Sequence, residues 1–419
     1  MFPCGSEIGL EIHRSLRWST HVDLVGASSI DDHGKFAFDR VVDKLPFIDD
    51  PDFLGAFNST LSREGIDLVY PAHDSVVLTM ARATRDRTLA CGVIGSRYET
   101  CRVARSKRLT YEVLSGVVPT PTVYRQVDDV SSWPVFLKPD VGQGSKGVHR
   151  ADSAAEARWH LNSDPSLLIL QYLPGPEFTV DCFTDRHGAL LYAAGRTRSR
   201  IVNGISVNSS EVDDARFASM ARSIQERVGF RGAWFFQVKE DHDGDLGLLE
   251  IAPRVAGTMC VARAKGVNLP LLSVFDALDI DVSITPNSYA VKVDRALQAR
   301  YDLGIDFQHV YVDLDDLLIV GDRVNQEVVR FLYECIGRGI LIHLLTRHNG
   351  DLDTTLAKHR LSGLFDSVTH VIDGSAKAAH VTETSAIFLD DSFAERAAVQ
   401  EARGIPVFDA HAVECLGWA

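Results

Sequence analysis

Gly142, Gly144 and Gly147 frame the run Gly-Gln-Gly-Ser-Lys-Gly, and Lys138 precedes it on an apolar stretch. A glycine-rich turn of this kind presents backbone amides to phosphate oxygens, and an ammonium behind it adds charge. The run also fits G-x-G-x-x-G. A dinucleotide site would need the last glycine to open a helix, with an acidic residue about 20 residues on. Val148-His149-Arg150 reads instead as a returning strand, so a glycine-rich hairpin over a triphosphate is expected. A dinucleotide-dependent oxidoreductase stays as a minor alternative. Farther along, Gln237 and Glu250 lie on two apolar runs joined by Asp241-His-Asp-Gly-Asp245, a strong turn signal. Two oxygen ligands on neighbouring strands suit magnesium, which combines few protein ligands with phosphate and water. Arg254 follows at a distance that allows it to clamp a phosphate. Arg196, Arg198 and Arg200 alternate along one expected strand, which would put all three on one face toward the γ-phosphate or a carboxylate.

A second set occupies the C-terminal third. Asp313 and Asp315 follow one apolar run, Thr346 ends the next, Lys377 opens a helix, and Asp390 and Asp391 end a further run. In a doubly wound sheet, ligands bind beyond the carboxyl ends of the strands. Helix capping by Asp would explain one such residue but not four strand ends in this order. Thr346 follows Asp315 by 31 residues and Lys377 follows Thr346 by 31. Each interval holds one helix and one strand, with no room for an inserted cap, so an open pocket is expected.

The elements that must position these groups follow from periodicity. In residues 1–103, short apolar runs at 23–28, 66–72 and 89–95 alternate with helical stretches, the pattern of a parallel sheet with crossover helices. Only Met1 and Phe2 precede Pro3-Cys4-Gly5, so the usual first strand is expected either to be absent or to start upstream. Residues 104–290 read as hairpin-forming strands with a few helices. An αβ pattern returns over 307–419, after a polar linker near 285–306.

At 419 residues the chain has room for two or three domains. A net charge of −14 argues against nucleic acid or an anionic membrane as partner. The seven cysteines are scattered, with no C-x-x-C pair, so neither structural zinc nor a disulfide framework is expected. No apolar run reaches 18 residues and no signal-peptide pattern opens the chain, which leads to the expectation of a cytoplasmic protein.

On these motifs, residues 1–290 resemble the ATP-grasp superfamily, closest to the carbamoyl-phosphate-synthetase-like branch. The resemblance implies a Rossmann-like pre-ATP-grasp domain (1–103) and an α+β ATP-grasp domain (104–290). It implies ATP and magnesium as cofactors, with Lys107 and Lys138 as the ATP-binding lysines. Gly142, Gly144, Ser145 and Gly147 would form the lid over the phosphates, and Gln171 and the backbone near Leu173 would read adenine. Glu177 would face the ribose, Arg196 and Arg198 would meet phosphate or carboxylate, Gln237 and Glu250 would hold metal, and Arg254 would act in catalysis. Three residues depart from the pattern: Ala252 replaces a metal-binding asparagine, Gln171 an acidic hinge residue, and Ser106 an acid or amide before Lys107. Gly5, Ser6, His73 and Asp74 are expected to border the substrate pocket.

Residues 307–419 resemble the haloacid-dehalogenase-like phosphatases. This implies a capless doubly wound domain in which Asp313 is the nucleophile and Asp315 the general acid and base. Thr346 and Lys377 would hold the phosphoryl group, and Asp313, Asp390 and Asp391 would bind magnesium. Leu317 stands where threonine or valine is common. The whole chain is thus expected to be an α/β multi-domain, bifunctional enzyme. One half would join small-molecule carboxylate and nucleophile substrates through an acyl phosphate, and the other would hydrolyse a phosphorylated substrate. A homodimer is compatible with this reading. The alternative is a phosphatase carrying a non-catalytic nucleotide-binding module.

Overall fold

The computed structural model describes residues 1–142, 144, 146–202 and 204–417. The chain divides into two compact units, Met1–Leu297 and Gln298–Ala419. The division falls inside the polar stretch read as a linker. Part of that stretch is sheet, because Lys292–Asp294 pairs antiparallel with Asn208–Ser210.

In the first unit, the apolar runs at 23–28, 66–72 and 89–95 contract to Gly26–Ala27, Leu68–Val69 and Gly92–Val93. Gly26–Ala27 pairs in parallel with Val41–Val42, and Leu68–Val69 with Gly92–Val93. An apolar run reports burial, whereas a strand needs a neighbouring backbone, and here the ladders are two residues long. Met1–Cys4 takes up the remaining backbone groups. Phe2 N donates to Tyr70 O, Ala72 N to Phe2 O, and Cys4 N to Ala27 O, so Phe2 bridges Pro71 in a strand position.

Among the described residues, seven antiparallel strands form the main sheet of this unit. Its order is Arg200–Val202, Ile205–Val212, Leu190–Thr197, Glu177–Thr184, Gly232–Glu240 and Leu246–Ala252, with Lys292–Asp294 added on Ile205–Val212. Alternation assigns its faces. Trp234, Phe236 and Val238 pack with Phe178, Val180 and Cys182 beneath helix Ala215–Val228, while Phe235 and Gln237 look the other way into a cleft. Gly195 lies directly under that helix, where a Cβ would meet the Phe217 ring at 2.2 Å. A second antiparallel sheet, Val123–Tyr124, Leu167–Gln171, Val135–Pro139 and His149–Ala151, carries the glycine run between its last two strands. Val135–Pro139 and His149–Ala151 are antiparallel neighbours, with no helix among the described residues between them. That is a hairpin, not the strand–turn–helix a dinucleotide site requires.

The second unit is built on a five-stranded parallel sheet, ordered Ser367–His370, Leu341–Thr346, His309–Val312, Ala386–Leu389, Val407–Phe408. Its three inner strands are largely buried on both faces, as continuous apolar runs require, while the edge strand Ser367–His370 is half open to solvent. Val310, Val312, Ile342, Leu344, Ile387 and Leu389 face one core, and Tyr311, Leu345 and Phe388 the other. The strand order reverses between His309–Val312 and Ala386–Leu389, which makes their carboxyl ends the switch point where such sheets bind ligands. The interval after Asp315 also contains a small hairpin, Ile319–Val320 with Arg323–Val324, beyond the one helix and one strand expected. Asn325 caps helix Gln326–Gly337, accepting from Glu327 N and Val328 N, while its Nδ2 donates to Leu317 O. Asn325→Ala should therefore lower the stability of this unit by about 1–2 kcal/mol, measured as a shift in its urea midpoint.

Among the described residues, no helix is long and apolar enough to cross a membrane. All seven cysteines are free, and Cys4, Cys101, Cys182 and Cys335 are buried.

Candidate active sites

The cleft of the first unit encloses about 1010 Å³, its open mouth included, and is lined by Lys107, Gly142, Gly144, Arg196, Arg198, Gln237, Glu250 and Arg254 among others. Gln237 and Glu250 face each other across adjacent strands, so their side chains share one surface. A β-bulge makes this register possible. Gln237 pairs with Glu250 but Val238 pairs with Leu248, leaving Leu249 as the extra residue. The Leu249 carbonyl accepts from Lys138 Nζ at 3.0 Å and from Tyr111 Oη at 2.9 Å. Burial pushes the Lys138 ammonium down to about 7, helped by Lys107 and opposed by Glu250. Burial also lowers Lys107, whose Nζ donates to Asp140 O at 3.3 Å. Ser106 has a clear local role: its Oγ accepts from Leu109 N as the N-cap of Lys107–Leu114 and donates to the Asp140 carboxylate. Asp140 in turn accepts from Arg108 N, so Lys107 is held at a helix start by a short capping network.

Several of the expected residues are engaged with other protein groups. The Arg254 guanidinium is committed to Asp74, with Nε–Oδ1 at 2.6 Å and Nη2–Oδ2 at 2.8 Å, and Nη1 donates to Val255 O. Burial would raise the Asp74 carboxyl, but Arg254 and then Arg105 outweigh it and hold Asp74 below the usual range. Arg196 forms a buried pair with Asp181 at 2.7 Å, while its Nη1 has no hydrogen-bond partner among the described residues. Arg198 and Glu177 pair with each other at 2.6 Å. Arg200 does not share their face. The strand ends at Thr197, and Arg200 belongs to the next one, exposed and paired with Asp294 at 2.7 Å. Gln171 Oε1 accepts from Thr122 N at 3.2 Å, and Leu173 is buried against Gly247. Gly147, Gln171, Leu173 and Glu177 lie away from the cleft lining, Lys138 sits just behind it with its charge felt by Lys107 and Glu250, and Ser145 lies outside the described residues. Gly204 approaches Gly144 so closely that a Cβ there would meet Gly144 Cα at 2.4 Å. Ala252 lies opposite Phe235 and packs with Ala256 in a small apolar cluster, which offers no ligand to a cation. Arg105, which donates to Gly142 O, had no motif to mark it.

Asp74→Asn should cost Arg254 its hydrogen-bonded carboxylate, leaving only the more distant Glu250 charge, and lower the first unit's stability by roughly 3 kcal/mol at neutral pH. Because the Asp74 carboxyl is depressed in the fold, the pair's contribution is present above about pH 4 and is lost as pH falls through the lower folded value. The difference between wild type and variant in urea melts should thus hold from pH 7 to 5 and narrow in stronger acid.

In the second unit, Asp313 directly follows strand His309–Val312, and its N donates to Leu389 O. Lys377, first residue of Lys377–His380 and 2% exposed, places Nζ 2.9 Å from Asp313 Oδ1 and 2.6 Å from Asp390 Oδ2. Burial raises Asp313 to about 6, with Lys377 opposing and Asp390 adding to the rise. Burial likewise raises Asp390, while Asp313 and Asp390 outweigh the burial of Lys377 and raise it. Asp313, Asp390 and Asp391 each offer an oxygen within 4.8 Å of the others. Thr346, fully buried, ends its strand and its Oγ1 accepts from His348 N at 3.2 Å. Leu317 is buried in the core beneath this loop. His348 escaped the sequence reading, although it lies two residues past Thr346. Its Nδ1 sits 3.0 Å from both oxygens of Asp315.

Comparisons with known proteins bear on the first unit. Residues 163–301 match the family model described as ATP-grasp in the biosynthetic pathway with Ter operon. No curated protein matches the chain. Among solved structures, the biotin carboxylase domain dimer of Hydrogenobacter thermophilus 2-oxoglutarate carboxylase, in complex with MgADP, ADP and bicarbonate, is similar at TM-score 0.57 and 15% identity. That match covers 67% of this chain and 69% of the other. N5-carboxyaminoimidazole synthetase from Staphylococcus aureus, complexed with ADP, is similar at 0.55 and 13%, covering 68% and 77%. An L-amino acid ligase from Bacillus licheniformis is similar at 0.52 and 18%, covering 66% and 72%. Matches over two-thirds of the chain exceed what the second unit could supply. Residues 163–301 thus match an ATP-grasp family model, and the first unit has the ATP-grasp fold.

Proposed function

We propose that the first unit is an ATP-dependent ligase that joins a small-molecule carboxylate to an amine or similar nucleophile. The cross-strand pair Gln237–Glu250, placed beside Lys107 in the cleft, carries this reading. Their two oxygens fit one magnesium ion, which when bound would neutralise phosphate charge; the apolar surroundings of Ala252 do not fit a second. Lys107 and Lys138 would hold ATP phosphates as the substrate carboxylate attacks the γ-phosphorus and ADP departs. The nucleophile would then displace phosphate from the acyl phosphate and lose a proton. The Gly142–Gly147 hairpin would exclude water from that intermediate. Arg254 would act as oriented by Asp74, and Arg196 Nη1 offers an unpaired donor to an anion. Residues 1–103 would border the acceptor site and 104–290 the nucleotide site. A homodimer, as in the Hydrogenobacter carboxylase domain, is the proposed assembly.

For residues 307–419 the proposed activity is phosphate ester hydrolysis through an aspartyl phosphate. It is carried by Asp313, Lys377 and Asp390 meeting at the switch point. Asp313 would attack phosphorus, Asp315 would protonate the leaving oxygen and then take a proton from water, and Thr346 and Lys377 would hold the phosphoryl oxygens. The all-carboxylate set Asp313, Asp390 and Asp391 fits magnesium, which would offset the crowded negative charge. A second reading, a phosphatase with a non-catalytic nucleotide-binding first unit, is favoured by Ala252 and by the commitment of Arg254 to Asp74. Purified protein with ATP, magnesium and panels of carboxylates and amines separates the two. ADP release that depends on one acid–nucleophile pair supports the ligase, and ester hydrolysis without any such release supports the alternative.

A further inference from the structure

Asp315 is half-exposed, with 50% of its side chain open to solvent, and such a carboxylate turns freely unless something holds it. The holder is His348, whose own side chain is 15% exposed. Its Nδ1 lies 3.0 Å from both Asp315 oxygens, and its Nε2 lies 2.9 Å from Thr355 Oγ1 on helix Leu352–Lys358. The backbone is pinned as well, with its N donating to Thr346 Oγ1 and its O accepting from His370 Nε2 at 2.7 Å. A carboxyl oxygen accepts whether or not its partner oxygen holds a proton, so Nδ1 carries the proton toward Asp315, and in the neutral ring Nε2 then accepts from the Thr355 hydroxyl.

We propose that His348 is a positioning residue that aims Asp315 at the leaving oxygen of the phosphate ester. This rests on the phosphatase reading above. As the Asp313 carboxylate oxygen bonds to phosphorus and the ester P–O bond breaks, the Asp315 carboxyl passes its proton to the departing alkoxide, leaving an alcohol. Water then attacks the aspartyl phosphate, Asp315 takes its proton, and phosphate leaves with Asp313 restored. An alkoxide needs that proton, whereas a nitrophenolate departs without it.

The test uses full-length protein with magnesium, glycerol phosphate and p-nitrophenyl phosphate. His348→Ala should lower kcat/KM, which reports the step that breaks the ester bond, about 100-fold on glycerol phosphate and less than about threefold on p-nitrophenyl phosphate. His348→Asn, which keeps a donor near the Nδ1 position, should restore part of the loss. An equal fall on both esters, or no fall on glycerol phosphate, would overturn the positioning role while leaving the phosphatase in place. Wild-type protein inactive on both esters, or activity surviving Asp313→Asn, would overturn the phosphatase reading and this assignment with it.

Discussion

Asp313→Asn should abolish phosphate release by the second unit, lowering kcat by about four orders of magnitude or more. Asparagine keeps the volume of the side chain and its place after strand His309–Val312, but its amide cannot form a bond to phosphorus. The fold should tolerate the change. Asp313 is nearly buried and its carboxyl is already raised to about 6, so removing its charge relieves crowding with Asp390. Lys377 keeps Asp390 as a partner at 2.6 Å. The reading requires wild-type protein to form a hydroxylamine-sensitive phosphoenzyme from labelled substrate. The variant should form none while its urea midpoint stays within that of the wild type or rises. Undiminished turnover in the variant would remove Asp313 from the chemistry.

Glu250→Ala should lower ADP formation by the first unit about 10³-fold, equivalent to several kcal/mol of charge stabilisation. Two effects add. The variant loses the carboxylate of the Gln237–Glu250 pair, and it also loses the negative charge that supports Lys107 and Lys138. Glu250 raises both lysines against the burial that depresses them. In wild-type protein, Lys138 stands at about 7, so nucleotide affinity should fall as pH rises past neutrality and the ammonium loses its proton. In the variant that fall should begin at lower pH. Calorimetric titration of ATP between pH 6 and 8 reads the shift directly. If Glu250→Ala changes nucleotide affinity yet no acid–nucleophile pair ever drives ADP release in wild type, the first unit binds nucleotide without ligating.

Much of the second candidate site was legible because the inner parallel strands, buried on both faces, read as unbroken apolar runs. The run ends therefore locate Asp313, Thr346 and Asp390, and the strand order brings them together. The turn at 241–245 likewise announced the hairpin that carries Gln237 and Glu250. His348 was not legible, because one histidine near a strand end looks like any other until Asp315 and Thr355 come to meet it. Arg200 was misplaced because alternation was carried past Thr197, where the strand stops.

By itself, then, the sequence determined which residue types stand at the strand ends and hairpins of both units, since periodicity and turn chemistry are local. Only the tertiary structure decided which way they face and what they touch. Strict alternation along Leu246–Ala252 would turn Glu250 to the same side as Leu246 and Leu248, into the core. The extra residue at Leu249 reverses the phase, so that Ile251 packs inside and Glu250 meets Gln237 in the cleft. Asp74 and Arg254, 180 residues apart, find each other only when the two ends of the first unit fold together. A bulge and a long-range ion pair depend on neighbours distant in the chain, and no local pattern records them.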